Sequence, residues 1–226
     1  KNITFLDLST FTLKPDNFYG GISRLLPLSK FTSLKSLSID LGLFKIKNSK
    51  KDSSLDDKGF VDIEDMFPSS LINLTISKAK GSLKFFKNFT NLNKLVFSES
   101  SYSEIIDYDS FKYLENLEYL KFSCHNISNI NFLENCANIQ KLDLTIMSNY
   151  NDTVKLENLD FLPKLQQLEE LVVSGLSSSY VDISLEALKN CSQIKILTLD
   201  IGEQAANQLK FLNKCKSLKV LNLTSY

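Results

Sequence analysis

The sequence predicts an α/β solenoid, with a curved parallel sheet on the concave side and short helices or turns on the convex side. Three observations carry that expectation. The pattern LxxLxL recurs nine times in 226 residues, an apolar residue stands three positions before seven of the copies, and Ser, Thr or Asp follows every copy. The copies are Ile3/Leu6/Leu8, Leu34/Leu37/Ile39, Leu71/Leu74/Ile76, Leu92/Leu95/Phe97, Leu117/Leu120/Phe122, Ile139/Leu142/Leu144, Leu168/Leu171/Val173, Ile194/Leu197/Leu199 and Leu218/Leu221/Leu223. Their middle position is always leucine.

Each copy predicts a short strand. Its last two apolar residues are two apart and share one face, while their neighbours face the other way. A strand with one apolar face cannot bury it alone, so successive copies must stack into a parallel sheet. The return segments before the copies carry Phe31, Phe89, Leu114, Cys136, Leu165, Cys191 and Cys215, and several have apolar partners three or four residues earlier, as in FLENC, ALKNC and FLNKC. That spacing marks one face of a helical turn, so short helices are expected there. The column after each copy reads Ser9, Asp40, Ser77, Ser98, Ser123, Thr145, Ser174, Asp200 and Thr224. Such side chains bond nearby amides where a strand gives way to a turn, which predicts caps at the strand ends.

The middle leucines are 31, 37, 21, 25, 22, 29, 26 and 24 residues apart. The motif and its spacing resemble the leucine-rich repeat family, whose period is about 20 to 29 residues, and the resemblance runs through the whole chain. It implies a single array of about nine repeats over residues 1–226, a fold whose sheet face binds other proteins. The family usually places Asn or Cys three residues past the last leucine; here Phe11, Gly42, Ala79, Ser100, His125, Met147, Leu176, Gly202 and Tyr226 occupy that position, so the repeats are irregular. The interval of 37 contains residues 45–65, KIKNSKKDSSLDDKGFVDIED, whose bunched lysines and carboxylates predict a flexible charged insertion. The terminal copies lack the polar caps such arrays need, and the expectation is a segment of a longer protein.

Composition excludes several functions. Charged residues balance at 26 basic and 26 acidic, and Arg24 is the only arginine, so neither a bulk field nor guanidinium forks favour nucleic acid. No apolar run reaches the roughly 18 residues of a membrane span. His125 is the only histidine; beside Cys124 in FSCHNIS it reads as a turn residue, and no catalytic residue, cofactor or metal ligand set is expected. The acidic residues Asp56, Asp57, Asp62, Glu64 and Asp65 lack the spacing of a calcium loop. Three of the four cysteines, Cys136, Cys191 and Cys215, replace Phe or Leu at one repeat position, and Cys124 stands apart from them. They read as free core thiols, which favours an intracellular, cytoplasmic or nuclear compartment. Sequons at Asn2, Asn73, Asn88, Asn126, Asn151, Asn190 and Asn222 support the alternative, a secreted or cell-surface recognition protein.

The outward face of the sheet remains as the binding surface. Lys94, Tyr119, Lys121 and Lys141 form an expected basic and aromatic patch, and Val172, Ile196 and Val220 an aliphatic one. Together they suit an acidic or partly apolar protein segment, bound by a monomer. The irregular repeats, the free cysteines and the phrase FPSSLINLTI at 67–76 also resemble the substrate-binding arrays of F-box proteins, adaptors of ubiquitin ligases. That resemblance implies an F-box outside residues 1–226.

Overall fold

The computed structural model describes residues 2–10, 28–41, 66–79, 81–99, 105, 107–125, 129–147, 154–156, 159–176, 181–201 and 209–224, with only the backbone at 154–156 and 181–182. The expected insertion at 45–65 lies outside the described residues. The chain divides into two compact units, Lys1–Asn116 and Leu117–Tyr226.

In the first unit the parallel strands β1 (Phe5–Leu8), β2 (Ser36–Asp40), β3 (Asn73–Ala79) and β4 (Lys94–Glu99) lie side by side in chain order. The motif sets their register. Leu6, Leu37, Leu74 and Leu95 align across the sheet, as do Leu8, Ile39, Ile76 and Phe97. Behind them sits a phenylalanine cluster in which the Phe86 ring lies 5.0 Å from Phe85, 5.1 Å from Phe111 and 6.1 Å from Phe97. These edge-to-face contacts join the returns to the inner face of the sheet.

In the second unit the order is β5 (Tyr119–His125), β6 (Lys141–Met147), β8 (Glu170–Leu176), β10 (Ile196–Ile201) and β11 (Val220–Thr224). Leu120, Leu142, Leu171, Leu197 and Leu221 align in one row. The short strands β7 (Val154–Leu156) and β9 (Val181–Ile183) pair separately as a two-stranded parallel sheet, which the sequence reading did not anticipate. Register shifts between β8 and β10, where Leu199 opposes Val173 but Ile201 opposes Leu176. Gly175 lies at that shift with φ at +93°, and a Cβ there would stand 2.0 Å from the Ile146 carbonyl oxygen. No other residue fits so close to backbone in that conformation.

The expected helices are present as 3-10 turns: Leu28–Lys30, Lys84–Asn88, Tyr108–Tyr113, Asn131–Asn135, Leu162–Lys164, Glu186–Asn190 and Leu209–Lys214. All seven apolar residues of the return column close such a turn, donating N–H to the carbonyl three residues back, as Phe89 does to Phe86 at 3.0 Å and Cys191 to Leu188 at 3.1 Å. A return of this length has room for one tight turn, and the i to i+3 bond is the one that fits.

Two further patterns stitch neighbouring repeats. The carbonyl two residues before a middle leucine accepts two N–H bonds from the next repeat; Thr4 accepts from Lys35 and Ser36, and Glu118 from Gln140 and Lys141, at 2.8 to 3.0 Å. The residue just before each motif reads Asn2, Ser33, Ser70, Asn91, Asn116, Asn138, Gln167, Gln193 and Ser217. Four of these donate to a carbonyl of the preceding repeat: Ser70 to Leu34 at 2.7 Å, Asn91 to Ser69 at 3.4 Å, Asn116 to Thr90 at 2.7 Å and Gln193 to Leu165 at 3.0 Å. A polar ladder therefore exists, at the start of the strands rather than past their ends.

The capping column needs correction. Ser77, Ser98, Ser123, Thr145, Ser174 and Asp200 lie inside strands, because strand pairing continues past the last leucine. They form a third row of the sheet face, and among them Asp200 still accepts a backbone bond as expected, from the Gly175 N–H at 3.1 Å. His125 likewise ends β5 and pairs with Met147; it is not in a turn beyond the strand.

Candidate functional site

Alternation along the strands decides what reaches the outward face. In the second unit one row runs Tyr119, Lys141, Glu170, Ile196 and Val220, and the next runs Lys121, Asp143, Val172, Thr198 and Asn222. Tyr119, Lys121 and Lys141 therefore come together on β5 and β6, and Val172, Ile196 and Val220 follow on β8, β10 and β11. Lys94 is exposed on β4 of the first unit, in a row with Phe5, Ser36 and Asn73.

The lysines on the second unit carry carboxylate partners one repeat on. Lys121 Nζ is 3.0 Å from Asp143 Oδ2, and Lys141 Nζ is 2.6 Å from Glu170 Oε1. Lys141 also lies over the Tyr119 ring, 5.8 Å from its centroid, a cation–π contact. Its ammonium is held above the ordinary lysine range, first by the hydrogen bond to Glu170 and further by the charge of that carboxylate. Two cations and two anions thus neutralise this part of the face. Both acids stand in the same two sequence columns as the lysines.

The aliphatic residues of β8, β10 and β11 grow more open along the sheet. Val172 and Ile196 are half-buried, whereas Val220 is 42% exposed. Leu221 and Leu223, which the motif places in the core, are 39% and 44% exposed, because among the described residues no strand covers β11 on its far side. The first unit has a comparable exposed residue in Phe5, at 63% on β1.

The cysteines are free. Cys124 shares the inward face of β5 with Leu120 and Phe122, while its neighbour His125 is half-buried at the strand end. Adjacent strand residues face opposite ways, so this pair has no nucleophile-and-base geometry. Burial lowers the His125 pKa and pushes the Cys136 and Cys191 thiols up to about 12, so neither thiol is a reactive thiolate at neutral pH. Among the described residues no cluster of three or more His, Cys, Asp or Glu is placed to hold a metal ion.

Middle leucines in register, one outward face and 3-10 returns define the architecture in each unit. Both units have the leucine-rich-repeat fold. No family model matches the chain, and no curated protein matches it. Similar solved structures include an internalin, inlF, from Listeria monocytogenes str. 4b F2365, at 18% identity and a TM-score of 0.46, covering 88% of this chain and 58% of that one. The internalin C2 of the same strain is 19% identical with a TM-score of 0.46, covering 76% of this chain and 74% of that one. A leucine-rich-repeat protein of Leptospira interrogans is 14% identical with a TM-score of 0.47, covering 90% of this chain and 57% of that one. The chain thus spans less than two thirds of the length of the first and third of these. Among the described residues no helix is long and apolar enough to cross a membrane.

Proposed function

We propose that this leucine-rich-repeat chain is a protein-interaction module that binds a partner on the outward face of its sheet, without chemistry of its own. The observation that carries this reading is the face of the second unit, where an aromatic and charge-compensated region, Tyr119 with Lys121 and Lys141, adjoins the aliphatic residues Val172, Ile196 and Val220 of the next three strands. A face whose charges are already paired favours an apolar contact over a purely ionic one. The partner is therefore a partly apolar protein segment.

Within that class the finer reading is the substrate-binding array of an F-box-type ubiquitin ligase adaptor, supported by the phrase FPSSLINLTI at 67–76 and by four free thiols suited to an intracellular compartment. The test is affinity capture from native cells with the full-length parent protein, beside a variant carrying Lys94→Glu, Tyr119→Ala, Lys121→Glu and Lys141→Glu and another carrying Val172→Asp and Ile196→Asp. A partner retained by both variants overturns the face assignment. A ligase scaffold captured with all three forms supports the adaptor; its absence from all three removes that reading and leaves the interaction module.

A further inference from the structure

Cys191 and Cys215 hold equivalent places in neighbouring repeats. Strands β10 and β11 pair Ile196 with Val220, 24 residues apart, and the two cysteines are separated by the same interval. Each closes a 3-10 turn by donating its N–H to the carbonyl three residues back at 3.1 Å, Cys191 to Leu188 and Cys215 to Leu212. Their sulfurs converge on one stretch of backbone. The Cys191 Sγ lies 3.5 Å from the Ala187 carbonyl oxygen, and the Cys215 Sγ lies between the Phe211 carbonyl oxygen of its own turn at 3.6 Å and, across the repeat, the Leu188 carbonyl oxygen at 3.8 Å.

Spacing decides which thiols can be joined. Paired strands are about 4.8 Å apart, and a disulfide needs Cα atoms about 4.4 to 6.8 Å apart. Turns stacked at that spacing would bring the two Cα atoms into this range. Cys136 does not, since the repeat of Leu165 intervenes before Cys191 and puts it at roughly twice the spacing. Access differs within the pair, because Cys191 is buried and Cys215 half-buried. The Cys215 thiol is also felt at Cys191, where it adds to the upward shift that burial imposes.

The geometry points to a redox-modification site: Cys191 and Cys215 join in a disulfide that staples two neighbouring repeats when the chain meets a small-molecule disulfide such as oxidised glutathione. The accessible Cys215 thiolate attacks one sulfur of the oxidant and expels one glutathione thiolate, leaving a mixed disulfide. The Cys191 thiolate then attacks the Cys215 sulfur and expels the second glutathione. The protein loses two thiol protons and two electrons, and the oxidant is reduced to two glutathione molecules. Raised thiol pKa values make the exchange slow at neutral pH and faster as pH rises.

The test is incubation of the full chain with oxidised glutathione at graded pH, then alkylation and peptide mass spectrometry without reduction. The expected product is an intramolecular peptide pair joining Cys191 to Cys215, formed in folded protein, retained in Cys124→Ala/Cys136→Ala and lost in Cys215→Ser, with a melting temperature several degrees above that of the reduced chain. Circular dichroism establishes that the Cys215→Ser chain is folded. A mixed glutathione disulfide that never resolves, a bridge to Cys136, or a Cys191–Cys215 bridge formed only in denaturant overturns the proposal.

Discussion

Lys141 Nζ stands 2.6 Å from Glu170 Oε1, one repeat on in the same row, and the same ammonium lies over the Tyr119 ring. A single lysine thereby connects three successive strands of the face. Replacing Glu170 by Gln removes the bond that raises the Lys141 pKa, so the ammonium should titrate closer to its ordinary value of 10.5. Side-chain nitrogen NMR reads that directly. Because both groups are partly in water, a double-mutant cycle with Lys141→Gln should give only about 0.2 to 1 kcal/mol of coupling.

Gly175 should resist substitution more than any other position of β8. Alanine there meets the Ile146 carbonyl oxygen and must hold a left-handed φ, so Gly175→Ala should cost more than the roughly 1 to 3 kcal/mol of the backbone strain alone. Urea unfolding monitored by circular dichroism tests this; a loss below 1 kcal/mol would show that the bulge relaxes around a side chain.

The polar ladder makes a separate prediction. Asn116→Ala removes the bond to the Thr90 carbonyl, and a loss of about 0.5 to 1.5 kcal/mol is expected. Amide hydrogen exchange should rise in the residues around Thr90 and Asn116 and stay unchanged in the second unit. A global rise would instead mark the ladder as part of the overall unfolding barrier.

Core leucines of the same motif should not cost alike. Leu142 is fully buried, and Leu142→Ala should destabilise by about 2 to 5 kcal/mol through the cavity it leaves. Leu223 is 44% exposed, so Leu223→Ala should cost about 1 kcal/mol or less. Equal losses would mean that β11 is covered in solution.

His125 sets a pH dependence. Burial lowers its pKa from the ordinary 6.5, so the unfolded chain binds the proton more readily than the folded one. The stabilising contribution is complete above pH 6.5 and is lost as pH falls through the folded-state value. Half-burial keeps the effect small. In His125→Gln the slope of stability against pH just below 6.5 should flatten, as read by chemical denaturation across that range.

The repeat fold was legible because one residue type recurs at one position nine times, and only stacking buries such a face. The return column was legible for the same reason, and all seven of its residues close the turns. Other features carry weaker signals. VKL and VDI of β7 and β9 are three residues each, too short for alternation to stand out. The column of Asn, Ser and Gln before each motif was present throughout, yet these residue types are common in loops, and only the cross-repeat bonds give the column meaning. At the candidate site the lysines were legible but their neutralisation was not, because Asp143 and Glu170 become partners only when strands 22 and 29 residues apart in sequence lie side by side.

Within each unit the forked carbonyl bonds, joined in four repeats by the polar ladder, anchor neighbouring repeats at the margin where their strands begin. Intervals as different as 21 and 37 residues keep the same leucine alignment, as Leu74 with Leu95 and Leu37 with Leu74 illustrate. The arrangement works like pages of unequal width sewn along one spine. Longer intervals leave that alignment undisturbed, which makes the connections between a strand and its next return turn, rather than the buried turns themselves, the natural places for an engineer to graft a tag.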